Sequence, residues 1–163
     1  MARVLIVGCG CRGRELAAAL IASGHTVRGT TRSEESLAAI EETGAEAVVA
    51  DPDRLATILA RLDGVSAVCW LMGSAAGADA VHGVRLETLL ERLVDTPVRG
   101  FLYEASGSVP RDLLQRGTKL VRAAGDRYRM PVEVVDADPT DREAWLTEMI
   151  RAVSELLGGR AGS

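Results

Sequence analysis

The sequence predicts an α/β domain, a doubly wound parallel sheet of about six strands with helices on both faces. Short aliphatic runs alternate with segments of helical period from one end of the chain to the other. The strand-like runs are nearly all apolar, as expected where helices cover both faces of a sheet. Such a succession of strand and helix pairs its strands in parallel through right-handed crossovers. At 163 residues the chain has the size of one domain and can bury roughly 70% of its unfolded surface. Residues 1–163 are therefore expected to form one unit without a separate substrate domain.

The first strand is the run Val4–Val7, followed by glycines. A helix over Arg12–Ser23 places Leu16, Leu20 and Ile21 on one face, and Gly24 stops it at the C′ position. His25–Gly29 reads as a short second strand. Ser33 caps the next helix, with Glu34 and Glu35 in the first turn, where the helix dipole favours anions. Leu37 and Ile40 form its buried stripe and Gly44 ends it. Glu46–Ala50 is the third strand, a helix spans about Asp53 to Leu62, and Ala67–Leu71 is the fourth strand. The Gly- and Ala-rich stretch Met72–Gly83 is expected to be a mobile loop or one that a ligand orders. Leu86, Leu89, Leu90 and Leu93 mark a helix over Arg85–Val94. Phe101–Ala105 is the fifth strand, Asp112–Arg127 a helix and Val132–Val135 the sixth strand. Trp145, Met149, Val153 and Leu156 give the last helix its apolar stripe.

Composition excludes several classes of function. The chain carries 19 Lys and Arg against 23 Asp and Glu, a formal charge of −4. No basic stretch is interleaved with aromatics, which argues against a nucleic-acid surface. The longest apolar runs are far too short to cross a bilayer. Three cysteines, two of them one residue apart, do not make a disulfide framework. The N-terminus enters a strand at once, without the layout of a signal peptide. A reducing, cytoplasmic setting is the expectation.

The most informative stretch is Gly8-Cys9-Gly10-Cys11-Arg12-Gly13. Its G-x-G-x-x-G pattern alone is weak, but here it follows a strand, opens a helix and lies in a strand–helix–strand unit of about 30 residues. Gly8 allows a tight turn, Gly10 allows the backbone to approach a pyrophosphate, and Gly13 allows helix and strand to pack closely. The helix N-terminus then offers free N–H groups and partial positive charge to phosphates. The pattern thus predicts a Rossmann-type dinucleotide site along Gly8–Gly13.

The end of the second strand bears on the choice of dinucleotide. An NAD site places Asp or Glu there, about 20 residues after the loop, to bind the ribose 2′-hydroxyl. This chain has Thr31-Arg32-Ser33 and no acid. Arg32 is suited to clamp a 2′-phosphate, so NADP is expected in preference to NAD. Ligands sit beyond the carboxyl ends of the strands at the switch in strand order. This adds Asp51 and Pro52 near the adenine and Met72 and Gly73 near the adenosine ribose. Asp51 is equally suited to cap the following helix.

These segments resemble the atypical or extended short-chain dehydrogenases/reductases, the nucleoside-diphosphate-sugar-epimerase-like proteins. The resemblance rests on VLIVGCGCRGRELAAALIASGHTVRGTTRS and GAEAVVADPDRLATILARLDGVSAVCWL, and continues loosely through VRGFLYEASGSV and RYRMPVEVV. It implies a nicotinamide cofactor lying across the glycine loop, with Ser, Tyr and Lys moving protons during hydride transfer. The family's Tyr-x-x-x-Lys is missing. The single lysine, Lys119, follows Gln115 by four, and neither Tyr103 nor Tyr128 has a lysine four residues later. The C-terminal substrate region of extended members has no counterpart after the sixth strand.

Other candidates are weaker. Cys9 and Cys11 read as small side chains in the loop, although a thiol at a helix N-terminus has redox potential. The scattered His25, His82 and Cys69 do not supply the four ligands of a metal site. Asp136 and Asp138, before Pro139, form a turn, and Trp70 and Trp145 are core residues. Ser106 and His82 are the weak catalytic candidates. Two readings stay open: an NADP-dependent oxidoreductase of unknown substrate, and a non-catalytic dinucleotide sensor, including one like the nucleotide-binding regulatory domain of potassium-transport systems. An unidentified small molecule is the expected second ligand, and a homodimer through the fourth and fifth helices is compatible with the sequence.

Overall fold

A computed structural model describes residues 2–75 and 79–158. The element order is β1 (Arg3–Val7), α1 (Cys11–Ala22), β2 (Thr26–Thr31), α2 (Leu37–Glu41), β3 (Glu46–Val49), α3 (Leu55–Leu59), β4 (Ala67–Trp70), α4 (Val84–Leu93), β5 (Phe101–Glu104), α5 (Arg111–Tyr128), β6 (Val132–Val135) and α6 (Arg142–Leu156). The six strands form one sheet ordered β3-β2-β1-β4-β5-β6. Every neighbouring pair is parallel. The chain winds outward from β1 in one direction, returns, and winds outward in the other. The order therefore reverses between β1 and β4.

Strand alternation divides the core into two layers. Leu5, Val7, Val68, Trp70, Phe101 and Tyr103 point to one face, where Ile58 of α3, the four leucines of α4 and Val121 of α5 cover them. Val4, Ile6, Cys69, Leu71 and Leu102 point to the other, against Leu16 and Leu20 of α1, Ile40 of α2 and Met149 and Val153 of α6. The expected three-layer architecture is present.

Element boundaries differ where local signals compete with packing. Gly29 looks like the end of β2, yet the strand continues to Thr31. A Cβ at Gly29 would sit 2.8 Å from Cys9 Sγ, so the glycine answers to the Cys9 side chain rather than to a turn. The Ser33 cap holds as expected, its hydroxyl accepting the Glu35 N–H, but it starts a short 3-10 turn, Glu34–Ser36, that runs into α2. Arg28 breaks the apolar pattern of β2. It is buried with its guanidinium held by Glu46 at 2.9 Å, Asp63 at 3.2 Å and the Arg61 carbonyl.

The stretch after β4 is more structured than expected. Ala80–His82 forms a 3-10 turn with Val81 and His82 buried. Trp70 Nε1 donates to the Val81 carbonyl, and Arg116 donates to the carbonyls of Asp79 and His82. Residues 76–78 of that stretch lie outside the described residues.

Candidate functional site

The glycine loop leaves β1 at the point where strand order reverses. Gly8 has φ +85°, and a Cβ there would overlap the Met72 side chain and stand 2.5 Å from the Leu71 carbonyl oxygen. The loop is tied to β2: the Cys9 N–H donates to the Thr30 carbonyl at 3.0 Å and the Gly8 N–H to Thr30 Oγ1 at 3.3 Å. Gly13 lets α1 settle on β1, since a Cβ would stand 3.1 Å from the Gly8 carbonyl oxygen and 3.4 Å from Ile6 Cγ2. Gly10 is different, because a Cβ there would meet nothing within 4 Å among the described residues. No side chain caps α1 at Gly10. The N–H groups of its first turn are thus left to an outside acceptor, with the helix dipole favouring an anion.

Gly8 to Gly13, Thr31, Arg32, Pro52 and Met72 border one cleft of about 410 Å³. Ser33, Asp51 and Gly73 do not. Ser33 is occupied as a cap, and Asp51 holds the next turn by accepting the Asp53 N–H at 2.9 Å. Gly73 is drawn inward, its N–H donating to Glu104 Oε1 at 3.0 Å. Thr30, Ser36 and Ser74 border the cleft without having been singled out from the sequence. Arg32 lies at the rim, half-exposed, with Nε 3.4 Å from Asp51 and a terminal nitrogen 3.6 Å from Asp53. Those two carboxylates come from the loop after β3, so their approach depends on strand order rather than on local pattern.

Glu104, at the end of β5, is fully buried beneath the loop. Its Oε1 accepts the Gly73 N–H, and its Oε2 accepts from Arg12 and from Trp145 Nε1, each at 3.1 Å. One carboxylate thereby joins the glycine loop, the β4 end and α6. Its only sequence signal is an acid closing the otherwise apolar run FLYE. Arg12 also lies over the Trp145 ring, 5.6 Å from its centroid, while its Nε is buried with no hydrogen-bond partner among the described residues.

A second cavity, of about 1090 Å³, opens between the ends of β5 and β6 and the face of α5. Ser106 lines it, with its hydroxyl donating to the Ala137 carbonyl at 2.7 Å. Arg12 borders both spaces.

His82 lines neither space, contrary to the expectation of a loop histidine facing a substrate. The Met72 carbonyl can only accept, so His82 Nε2 carries the proton and donates to it at 2.8 Å. Nδ1 then accepts from the Tyr103 hydroxyl at 2.5 Å. Burial pushes the His82 pKa below its ordinary value, and burial likewise raises that of Tyr103. The unfolded chain therefore takes up this proton before the folded one. The resulting stability is present above about pH 6.5 and is lost as pH falls through the folded value, at up to about 1.4 kcal/mol per pH unit. Denaturant unfolding at pH 7.5 and 5.5 should show this loss, and His82→Gln should remove the His-linked part of it. An equal pH response in both proteins would contradict the assignment.

The cysteines divide by burial. The Cys9 thiol is pushed up to about 11 and that of Cys69 to about 12, chiefly by desolvation, which leaves both unreactive near neutrality. Cys11 is exposed. Among the described residues, no group of three or more His, Cys, Asp or Glu side chains is placed to hold a metal ion, and no helix is long and apolar enough to cross a membrane.

A parallel sheet with its glycine loop at the β1–β4 reversal, opening on unfilled space at a helix N-terminus, defines a Rossmann-type dinucleotide-binding protein. The family model described as NAD(P)H-binding matches residues 8–114, and the chain belongs to that family. No curated protein matches the sequence. Solved structures do. BdcA (YjgI) from E. coli aligns with a TM-score of 0.75 at 16% identity, over 91% of this chain and 88% of its own. A candidate NAD-dependent epimerase/dehydratase from Bacillus halodurans aligns with 0.68 at 20%, over 85% and 71%. A UDP-glucuronic acid 4-epimerase variant from Bacillus cereus, solved with NAD, aligns with 0.62 at 17%, over 81% and 55%. Likeness at such identities establishes a shared fold. The chain spans little more than half of that epimerase's length.

The residues present fit a nicotinamide dinucleotide. The space over Gly10 admits a phosphate against the backbone, and the uncapped first turn of α1 supplies donors for it.

Proposed function

We propose that the chain binds NADP(H) along the first cleft and acts as an oxidoreductase on a small molecule in the second cavity. The open space over Gly10 carries the reading, because backbone clear of described neighbours beside uncapped first-turn N–H groups leaves room for a phosphate. In this reading the backbone of Gly8, Cys9, Gly10, Cys11, Arg12 and Gly13 receives the diphosphate. Thr31 and Arg32 receive the 2′-phosphate, Pro52 flanks the adenine and Met72 lies along the ribose, while Ser33, Asp51 and Gly73, engaged within the chain, support these residues from behind. When bound, the nicotinamide supplies or accepts a hydride.

The chain's own part is to bind, orient and exclude water. Ser106 is one of several hydroxyls lining the second cavity, and while donating to the Ala137 carbonyl it can accept a hydrogen bond from a substrate. No tyrosine–lysine pair is spaced to pass a proton, which favours an acceptor such as a quinone or flavin. His82 donates to the Met72 carbonyl and is itself held by the Tyr103 hydroxyl, so both act on the β4 end rather than on substrate. NADPH oxidation with quinones, flavins and aldehydes tests catalysis. Turnover diminished by Ser106→Ala supports the enzyme, and tight NADPH binding without turnover favours the sensor.

Arg32 tests cofactor choice separately. Its exposed pairs with Asp51 and Asp53 are each worth about 0–1 kcal/mol, so a doubly charged phosphate can draw the guanidinium away. Arg32→Ala should weaken NADPH by about tenfold or more, roughly 1.4 kcal/mol, and leave NADH within about twofold. Equal weakening of both dinucleotides would remove Arg32 from cofactor selection.

A further inference from the structure

We infer that the second cavity takes a small organic acid carrying at least two anionic groups, carboxylate or phosphate. The inference rests on the proposed function for its role as substrate, while the binding itself stands on the cavity wall. Arg111, Lys119 and Arg122 line this space from α5. Their spacing of eight and then three residues puts them along one side of the helix. No side chain of the three makes an ion pair or hydrogen bond among the described residues. Other arginines, Arg54, Arg85 and Arg99 among them, likewise meet no carboxylate among the described residues, and what sets these three apart is that they share one cavity wall. A chain with 23 acidic residues thus leaves three neighbouring cations unneutralised around a cavity of ligand size.

A fourth cation enters from the opposite side. Arg12 gives one terminal nitrogen to Glu104 and keeps a buried Nε with no hydrogen-bond partner among the described residues. Two carboxylates face the same space, Asp136 and Asp138 after β6. Asp138 already accepts twice from Thr140 at one oxygen. With Arg12 paired to Glu104, three unpaired cations face two carboxylates across this space, so its wall stays net positive within a chain of net charge −4 and attracts anions. A ligand with one acidic group toward α5 and another toward Arg12 satisfies both ends. Because Arg12 also borders the first cleft, such a ligand lies beside a bound dinucleotide.

The test is a titration of the full chain, followed by amide ¹H–¹⁵N spectra, with NADPH held in excess. Citrate, pyrophosphate and uncharged xylitol serve as probes. The expected result is a shift of amides in 106–109 and 111–122 with citrate or pyrophosphate and none with xylitol. A response to citrate alone identifies carboxylates, and to pyrophosphate alone phosphates. Reversing two exposed charges together, Lys119→Glu with Arg122→Glu, should weaken the responding anion at least tenfold while NADPH binding persists. Equal shifts with xylitol, no shifts with either anion, or unaltered affinity after charge reversal would overturn the inference. Anion binding by a chain that does not bind NADPH would instead sink the proposed function and leave this site standing.

Discussion

Gly10→Asp should abolish measurable NADPH binding, with a loss of at least about 100-fold, while leaving the fold intact. Gly10 sits at the N-cap of α1, with extended backbone at φ −85° and ψ −153°, and a Cβ added there has no neighbour within 4 Å among the described residues. Aspartate is among the preferred N-cap residues and stabilises a helix by a few tenths of a kcal/mol relative to glycine. The thermal midpoint should therefore stay level or rise slightly. In the cofactor cleft the same side chain fills the diphosphate position, takes up first-turn N–H groups and places negative charge against negative charge. A hundredfold loss corresponds to about 2.7 kcal/mol. The substitution separates the binding claim from stability, which neither Gly8 nor Gly13 can do, because both are packed against the chain itself. NADPH fluorescence titration alongside thermal melting reads the two effects. Retained affinity in a folded variant would mean that the phosphates lie elsewhere.

Glu104→Ala should have the largest effect on stability, about 3–5 kcal/mol. The substitution leaves the Gly73 N–H, Trp145 Nε1 and the Arg12 guanidinium facing a space without an acceptor. Each orphaned donor costs about 1–3 kcal/mol where buried, although Arg12 retains part of its solvent contact. Domains are stable by only about 5–15 kcal/mol in total, so the variant should be close to unfolding at ordinary temperature. Glu104→Gln keeps the volume and one carbonyl acceptor, and should lose clearly less. Urea unfolding of the three proteins gives the ranking. A loss under about 1 kcal/mol for Glu104→Ala would show that the three elements are held together without the carboxylate.

The sheet was legible because both of its faces are covered. Runs such as Val4–Val7 and Ala67–Leu71 must be apolar on every residue, and that pattern survives without any knowledge of neighbours. The glycine loop was legible for a related reason: turn, close approach and tight packing each exclude a Cβ at a fixed spacing. Features that depend on which strands end side by side were less accessible. Arg32 was visible as a cation after β2, but its two carboxylates arrive from the loop after β3. Glu104 and Arg12 are 92 residues apart, and no local periodicity links them. His82 was misread because glycine- and alanine-rich flanks suggest a loose loop. Its burial follows from Trp70, Met72, Tyr103 and Arg116 converging on one turn.

The most direct measurement is a crystal structure of the chain grown with NADPH. The account predicts the diphosphate within hydrogen-bond distance of the backbone N–H groups between Gly10 and Gly13, with the 2′-phosphate against Arg32. NADPH bound away from that loop, or a loop free of it at millimolar concentration, would contradict the account.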